Sequence, residues 1–255
     1  MVWHLRALRY RRTLWRDFRE RVSDWLQAWQ PPTDKLLIVG PSGGYTLDDE
    51  FLKRWQEIVA IEPDPLARRL LCWRYPQVRW RFSELDILHR PGNGLLPQHF
   101  PAHAILFANV LGQLAPRAET ESRKWLRALR ADLGALHWAS YHDVISTRRT
   151  PDVWSPRLTE STDLDGLLGH FWRGGELDVV DHGTHGLGQP DAEAADYCVW
   201  PLRPGHYHLV EWLVGRPVTP QAQDDQGSDA AGKNYKGAAL ADAGLAGTAN
   251  DGAPC

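Results

Sequence analysis

Residues 35–44 constrain the fold more than any other part of the chain. They read KLLIVGPSGG, an apolar run of strand length that leads into a small, glycine-rich turn. A second apolar run, residues 58–61, ends in Glu62, twenty-two positions after Gly40. Parallel sheets that bind a nucleotide at their carboxyl edge have this order of features: a strand, a glycine turn, a helix, a second strand and an acid. The pattern predicts that the turn and Glu62 lie side by side and hold a ribose-containing ligand.

Strands and helices alternate along the chain after this turn. The predicted strands are residues 35–40, 58–62, 78–82, 103–109 and 134–142, and the predicted helices are about 46–56, 65–73, 95–99 and 117–131. Continuous apolar strands separated by helices indicate a parallel sheet covered on both faces. Right-handed crossovers make such a sheet doubly wound. The predicted fold class is therefore α/β.

The pattern changes after residue 145. Residues 147–162 are polar and predict a loop, and the segments that follow predict a helix at 164–172, a strand at 176–182 and a hairpin of 197–202 with 206–215. The turn signal Arg203-Pro204-Gly205 separates the last two strands. Because hairpin strands are antiparallel, the sheet is expected to finish with an antiparallel edge.

The two ends of the chain differ from the middle. Residues 1–32 are predicted to be an N-terminal helical cover, a single helix over 4–29 with apolar residues at helical spacing and arginines between them. An RNA-binding or membrane-surface helix is the alternative for this basic segment. Residues 33–217 form the predicted sheet domain. Residues 218–255 are mostly Ala, Gly, Asp and Gln and predict a disordered tail.

Composition narrows the function classes. The net charge of −3 over 255 residues argues against a wholly basic nucleic-acid binder. Three widely separated cysteines predict a reducing, cytoplasmic location. No apolar run approaches the roughly 20 residues that a membrane span needs. We therefore expect a cytoplasmic protein with no membrane partner.

The turn itself separates two cofactor classes. A dinucleotide fingerprint, G-x-G-x-x-G, lets a pyrophosphate sit against bare backbone at a helix N-terminus. Counted from Gly40, the second and third glycine positions hold Ser42 and Tyr45. A bulky Tyr at the position needed for close helix–strand packing counts against an NAD-type oxidoreductase, which stays the weakest alternative.

Residues 35–114 resemble the class I S-adenosylmethionine-dependent methyltransferases. The family's first motif is acid–x–G–x–G–x–G, and here Gly40 and Gly44 match it, Ser42 replaces the middle glycine and Ile38 replaces the acid. The second motif, an acid that ends strand two, matches Glu62.

Two further motifs extend the resemblance. The third, an acid after strand three, matches Asp86, with Glu84 as the alternative. The fourth, at the end of strand four, resembles residues 107–113, which contain Asn109. The antiparallel end of the sheet also fits the family, so the likeness covers roughly residues 35–215.

The resemblance implies a Rossmann-like sheet, S-adenosylmethionine as cofactor and a set of cofactor-binding residues. Glu62 would accept hydrogen bonds from both ribose hydroxyls, and Asp86 would accept one from the adenine amino group. The main chain at the turn would approach the methionine portion. The implied cofactor-binding residues are Gly40, Ser42, Gly44, Glu62, Asp86 and Asn109.

Candidate catalytic residues follow strands four and five, because open α/β sheets bind ligands at the carboxyl ends of their strands. They are Asn109, Gln113, Tyr141, His142 and Asp143. We predict His142 as general base, since histidine titrates near neutral pH, with Asn109 beside it. Residues 109–112 lack the Pro-Pro-aromatic run of DNA amino-group methylases. The unidentified methyl acceptor is therefore predicted to be a small molecule or protein side chain, with a nucleic acid less favoured.

Two histidine pairs, His182-x-x-His185 and His206-x-His208, have spacings that can chelate zinc. Histidine pairs in edge strands are usually surface polar residues, so we predict no metal site. The alternative to an enzyme is a non-catalytic relative that uses the sheet as a binding or scaffolding module, and the absent acid at Ile38 favours it.

Overall fold

The computed structural model describes residues 2–85, 91–159, 163–187 and 195–217, so Asp86 and the predicted tail lie outside the described residues. Its helices are α1 (Val2–Tyr10), α2 (Arg16–Ala28), α3 (Asp49–Lys53), α4 (Pro65–Arg74), α5 (Leu95–His99), α6 (Leu111–Leu114), α7 (Glu119–Leu133) and α8 (Leu164–Phe171). Its strands are β1 (Lys35–Val39), β2 (Glu57–Ile61), β3 (Trp80–Phe82), β4 (Ala104–Ala108), β5 (Trp138–Thr147), β6 (Arg157–Thr159), β7 (Val179–Asp181), β8 (Ala195–Arg203) and β9 (His206–Gly215).

These strands form one mixed sheet. Their order is β3-β2-β1-β4-β5-β9-β8-β6, and β7 pairs with the end of β5. The pairs from β3 to β5 are parallel, whereas β9, β8, β6 and β7 run antiparallel to their neighbours. The structure confirms the predicted α/β class, the doubly wound parallel half and the antiparallel finish.

The parallel strands end at one edge of the sheet, and this edge is where the site forms. β1 and β4 lie side by side at its centre with nearly every residue buried, which is why their sequences are continuous apolar runs. The helix after β2 begins cleanly because Pro65 occupies its first turn and the Asp64 carboxylate accepts a hydrogen bond from the Leu66 backbone N–H. These contacts fix the backbone of Glu62-Pro63-Asp64, the segment that joins β2 to α4.

The N-terminal segment departs from the prediction of a single helix over residues 4–29. It forms two helices, α1 and α2, joined by a turn that ends at Trp15. Trp15 is fully buried, its indole N–H donates to the Leu202 carbonyl at 3.0 Å, and its ring lies 5.0 Å from that of Trp200. Burial of this large ring against the sheet favours the break, and helical periodicity alone does not reveal it.

Other elements differ from the prediction in length or existence. The fifth strand extends to Thr147 rather than stopping at 142, because its second half pairs with β7 and β9. The short helix α6 and the short strand β6 were not predicted. Within the described residues, no helix combines the length and apolar character that crossing a membrane requires.

Candidate functional site

The turn after β1 has a positive φ at Gly40, Ser42 and Gly44. Gly40 has φ +67° and Ser42 has φ +51°. A Cβ on Gly40 would lie 2.5 Å from the Val110 side chain, so a larger residue does not fit there. The Gly40 N–H donates to the Ile61 carbonyl at 2.9 Å, which ties the turn to the end of β2. The turn is thus shaped by its glycine and held against the neighbouring strand.

Glu62 holds this turn from the side. Its side chain is buried, and its two carboxylate oxygens accept hydrogen bonds from the Ser42 N–H at 2.8 Å and the Asp64 N–H at 3.0 Å. Burial raises the pKa of Glu62, and the two backbone donors oppose that rise. Because a carboxylate has about four lone-pair sites, each oxygen can still accept one more hydrogen bond.

A cavity of about 910 Å³ opens beside this carboxylate. Its polar lining includes Ser42, Glu62 and Asn109 from the ends of parallel strands, together with His4 from α1. This volume lies within the usual range for sites that bind small molecules and cofactors. The structure thus brings Gly40, Ser42, Glu62 and Asn109 together around one cavity.

The first helix covers one side of the cavity. His4 makes two side-chain contacts there, Nδ1 with the Tyr45 hydroxyl at 2.9 Å and Nε2 with the Asp64 carboxylate at 3.1 Å. Its hydrogen bond is the main cause that lowers the pKa of Asp64. Trp3 also lines the cavity. The sequence predicted a cover helix but gave no signal for which of its residues meet the site.

Tyr45, used above to argue against a dinucleotide, is a buried part of this cover contact. Its ring lies 4.9 Å beneath the Arg74 guanidinium, and burial raises the pKa of its hydroxyl. Thr46 follows and hydrogen-bonds the Tyr141 hydroxyl at 2.5 Å. Tyr141 is fully buried in β5 and lines the cavity, and burial raises its pKa.

Asn109 connects two strand ends. It has φ +55°, a left-handed conformation that Asn adopts more readily than most residues. Its Oδ1 accepts a hydrogen bond from the Asp143 N–H at 3.0 Å, and its Nδ2 lies 3.5 Å from an Asp143 carboxylate oxygen. Asn109 therefore fixes the end of β4 against β5 at the cavity wall.

Gly44 does not line the cavity, although the resemblance assigned it a cofactor role. It has φ +64°, and a Cβ there would lie 2.7 Å from the Tyr75 ring. Its carbonyl accepts a hydrogen bond from the Tyr75 hydroxyl at 2.8 Å. The glycine is required by packing against α4, and we correct its role accordingly.

The acid that follows β3 is only partly described. Asp86 lies outside the described residues, so its predicted contact with adenine stays a prediction. The alternative, Glu84, lines the cavity, is 82% exposed and lies 3.6 Å from Arg68.

His142 is placed away from the cavity. Side chains alternate between the faces of a strand, and since Tyr141 faces the cavity, His142 points to the opposite face. It is fully buried there, with Nδ1 2.9 Å from the Ser140 hydroxyl and Nε2 3.1 Å from the Glu211 carboxylate. A general base must reach the proton that it removes, so we correct the assignment of His142 as base.

Ile38, which stands where the resembled family has an acid, is fully buried in the core beneath the turn. No carboxylate from β1 can therefore hold the turn. The Ser42 N–H donates instead to the carboxylate of Glu62, which directly follows β2. The neighbouring strand supplies the anchoring acid in this chain.

Comparisons with known proteins find likeness only in structure. No family model and no curated protein matches the chain. Three of the solved structures that resemble it are DhpI in complex with S-adenosylhomocysteine (12% identity, 85% of this chain and 93% of that chain, TM-score 0.39), the N-methyltransferase NodS from Bradyrhizobium japonicum WM9 in complex with S-adenosylhomocysteine (13%, 80% and 89%, 0.43), and a structure named for Zn-dependent alcohol dehydrogenases from Rhodobacter sphaeroides (14%, 77% and 90%, 0.42). At these scores the names carry no argument about function. The strand order itself shows that the chain has a doubly wound, Rossmann-like fold with an antiparallel end.

Proposed function

We propose that this protein binds S-adenosylmethionine in the cavity and transfers its methyl group to a small-molecule acceptor. The observation that carries the proposal is the buried Glu62 carboxylate, which binds the turn through Ser42 and keeps acceptor capacity at the cavity wall. Paired ribose hydroxyls are the donors that such a carboxylate suits, because hydrogen bonds to a charged acceptor are about twice as strong as neutral ones.

The electrostatics of the turn favour a cationic cofactor over a dinucleotide. A pyrophosphate binds where backbone N–H groups and a helix N-terminus are free to meet it. Here the Ser42 N–H is taken by the Glu62 carboxylate, and Asp48 accepts from the Phe51 N–H at the start of α3. Asp49 and Glu50 add negative charge to the same helix turn. The Glu62 carboxylate lines the cavity and would repel a pyrophosphate, whereas the sulfonium of S-adenosylmethionine is positive.

The described residues fit this cofactor. Gly40, Glu62 and Asn109 line the same cavity, and Glu62 offers a partly satisfied carboxylate there. Glu62 would hold the ribose, and the backbone from Gly40 to Ser42 would lie along the rest of the ligand. The bound cofactor supplies an electrophilic methyl group. The chain would contribute orientation and the exclusion of water, the latter through the cover of Trp3 and His4.

The cover also favours a small acceptor over a protein or nucleic acid. α1 closes one side of the cavity through the contacts of His4 with Tyr45 and Asp64. Cofactor and acceptor would share about 910 Å³. An exposed macromolecular surface does not enter such a space, whereas a compact nucleophile does. The acceptor's identity and the cytoplasmic location stay predictions.

The cofactor class is tested by calorimetric titration of the purified full chain with S-adenosylhomocysteine and, separately, with NAD. We expect saturable binding of the first and none of the second. Binding of NAD alone would contradict the proposal, and so would binding of neither.

A non-catalytic role is the second candidate, favoured by His4. It is the cavity-lining histidine among the described residues, and both of its ring nitrogens have partners. Transfer is measured by incubating the chain with methyl-labelled S-adenosylmethionine and either a small-molecule extract or a protein extract. We expect label in the small-molecule fraction. Cofactor binding without label transfer in either extract would favour the non-catalytic role.

A further inference from the structure

We propose that Asp143, His182 and His208 form a binding site for one divalent transition-metal ion. The proposal goes beyond the proposed function, because metal binding does not depend on the cofactor. Each residue offers one ligand atom, and these three atoms lie within 4.8 Å of one another. The sequence predicted no metal site, because histidine pairs in edge strands are usually surface polar residues.

Three separate elements supply the three side chains. Asp143 lies at the register shift in β5, and His208 lies on the adjacent strand β9, where it pairs with Ser146. His182 directly follows β7, and its N–H donates to the Val144 carbonyl at 2.9 Å. The antiparallel end of the sheet thus joins residues that are 26 to 65 positions apart in sequence, His182 to His208 and Asp143 to His208.

The side chains already approach the spacing of metal ligands. His208 Nδ1 lies 2.8 Å from an Asp143 carboxylate oxygen. Tetrahedral ligands about 2.0 to 2.2 Å from a zinc ion lie roughly 3.3 to 3.6 Å from one another, so these two atoms would move apart by less than about 1 Å to hold an ion. The rings of His182 and His208 are stacked nearly parallel, with centroids 5.8 Å apart, and one nitrogen of each lies within 4.8 Å of the other and of the Asp143 carboxylate. The three side chains thus enclose a space in which a single ion could contact each of them.

Several polar atoms of the cluster have no hydrogen-bond partner within the described residues. They are Asp143 Oδ1, His182 Nε2 and His208 Nε2, and His208 itself is only 7% exposed. A buried polar atom without a partner costs about 1 to 3 kcal/mol. A bound cation would satisfy such atoms directly.

The donor set selects the class of ion. Two imidazoles and one carboxylate suit zinc, iron(II) and cobalt(II), whereas magnesium and calcium prefer all-oxygen sites. Three protein ligands leave room for water or another small ligand. The cluster also has outer partners of the kind that orient metal ligands, since Asn109 contacts Asp143 and the Thr184 hydroxyl donates to the Asp143 carbonyl at 2.5 Å. Because Asn109 also lines the cavity, the ion would lie next to the proposed methyl-transfer site.

The test is titration of the chelator-treated full chain with Co²⁺, followed by visible absorption, and then displacement of Co²⁺ by Zn²⁺. We expect one ion per chain. His182→Ala and His208→Ala each remove one of three ligands and are expected to weaken binding by at least about 100-fold, more than the roughly 10- to 100-fold that a metal site loses with an outer supporting group. His206→Ala is the matched control, since His206 lies on the same strand with its ring centroid 5.4 Å from that of His208.

His182→Ala keeps the test sharp if other variants fold poorly. Its side chain belongs to a loop residue, whereas Asp143 and His208 are also bonded to each other. Circular dichroism of every variant checks that the fold is retained. Absence of saturable Co²⁺ binding by the wild-type chain would overturn the proposal and leave an ordinary Asp–His pair. The proposal would also be overturned if His206→Ala weakened Co²⁺ binding and His182→Ala did not. Titration of the metal-free chain with S-adenosylhomocysteine separates this failure from a failure of the proposed function.

Discussion

Glu62 performs two tasks with one carboxylate. It binds the backbone of the glycine turn through Ser42 and the start of α4 through Asp64, so it shapes the cavity that it lines. The strand that normally would supply an acid to this turn in the resembled family has Ile38 instead, buried in the core. Because Glu62 performs both tasks, we expect substitutions at Glu62 to weaken cofactor binding more than substitutions elsewhere in the proposed site.

The pH dependence of cofactor binding follows from the raised pKa of Glu62. The ionised carboxylate accepts hydrogen bonds from ribose hydroxyls better than the protonated form, so binding favours the ionised form. We expect the affinity for S-adenosylhomocysteine, measured by calorimetry, to be constant near neutral pH. It should fall by up to about tenfold per unit as the pH drops below that raised pKa. An affinity unchanged down to pH 4.5, the ordinary value for this group, would contradict the expectation.

Gly40 is predicted to be intolerant of any side chain. Gly40→Ala would place a Cβ 2.5 Å from Val110 at a positive φ, so we expect a loss of about 1 to 3 kcal/mol in the free energy of unfolding. Chemical denaturation measures it. Gly169→Ala is the control, since Gly169 lies in α8 with nothing within 4 Å of an added Cβ. It should leave stability unchanged or raise it by up to about 1 kcal/mol. Equal losses in both variants would contradict the strain at Gly40.

Some residues of the site could be predicted from the sequence and others could not. Gly40 and Glu62 follow apolar runs that end at the same edge of a parallel sheet, so their positions follow from the strand pattern alone. The prediction of His142 as general base was wrong because it required choosing between adjacent residues of β5, whose side chains point to opposite faces of the sheet. The sequence of a strand that is buried on both faces does not show which face meets the cavity. The cofactor role predicted for Gly44 was misjudged because its neighbour Tyr75, which directly follows α4, lies 31 positions away in sequence.

At the scale of elements, the N-terminal helices belong to the same core as the sheet. Phe18 of α2 stacks on Trp200 of β8 with ring centroids 4.5 Å apart, and Trp25 packs against Trp212 of β9 at 5.7 Å. These aromatic contacts hold α2 on the antiparallel half of the sheet. α1 then extends from this anchor across the cavity, a path that depends on the break before Trp15.

α1 is predicted to retain the cofactor through His4. His4→Ala removes the hydrogen bonds to Tyr45 and Asp64, each of which stabilises the position of α1 over the cavity by about 1 kcal/mol. We expect S-adenosylhomocysteine affinity to fall by up to about tenfold, mainly through faster dissociation in a stopped-flow displacement experiment. Leu5→Ala, an exposed position on the same helix, is the control and should leave the rate unchanged. Identical rates for wild type and His4→Ala would show that α1 does not retain the ligand.

At the scale of the whole molecule, the sheet separates two hydrophobic cores. The core on the face covered by α2 contains Trp15, Phe18 and Trp200, and the core on the other face contains Leu209 and Leu213. A buried polar group interrupts the second core, where the Glu211 carboxylate accepts from the Tyr197 hydroxyl and lies 3.1 Å from His142. These contacts lower the pKa of Glu211 despite its burial.

His142 is therefore predicted to matter for stability. His142→Ala would remove the histidine from the buried Glu211 carboxylate and leave it the Tyr197 hydroxyl, and breaking a buried pair in this way costs up to about 3 to 5 kcal/mol. The free energy of unfolding, from urea denaturation, should fall by that amount. His99→Ala, at an exposed position in α5, should change it by less than about 0.5 kcal/mol. A normally stable His142→Ala protein with greatly reduced methyl transfer would instead restore the role of base.

The overall architecture was more predictable than its details. Apolar strands alternating with helices determine the parallel half, and the turn at Gly205 determines the hairpin of β8 and β9. The end of β5 and the cluster of Asp143, His182 and His208 were not predictable, because they depend on pairing with strands far away in sequence. Long-range register sets these features, and local periodicity carries no record of it.

The central claim is that Glu62 holds a cofactor in the cavity, and calorimetry with S-adenosylhomocysteine on matched variants tests it most directly. Glu62→Gln removes the negative charge at the cavity wall. Glu57→Gln is the matched control, because it removes a negative charge from nearby β2, where Glu57 pairs with Lys35 and Arg81. With circular dichroism unchanged, the account predicts saturable binding by wild type and Glu57→Gln and at least about tenfold weaker binding by Glu62→Gln. Equal affinity in all three proteins, or no binding by the wild type, would contradict it.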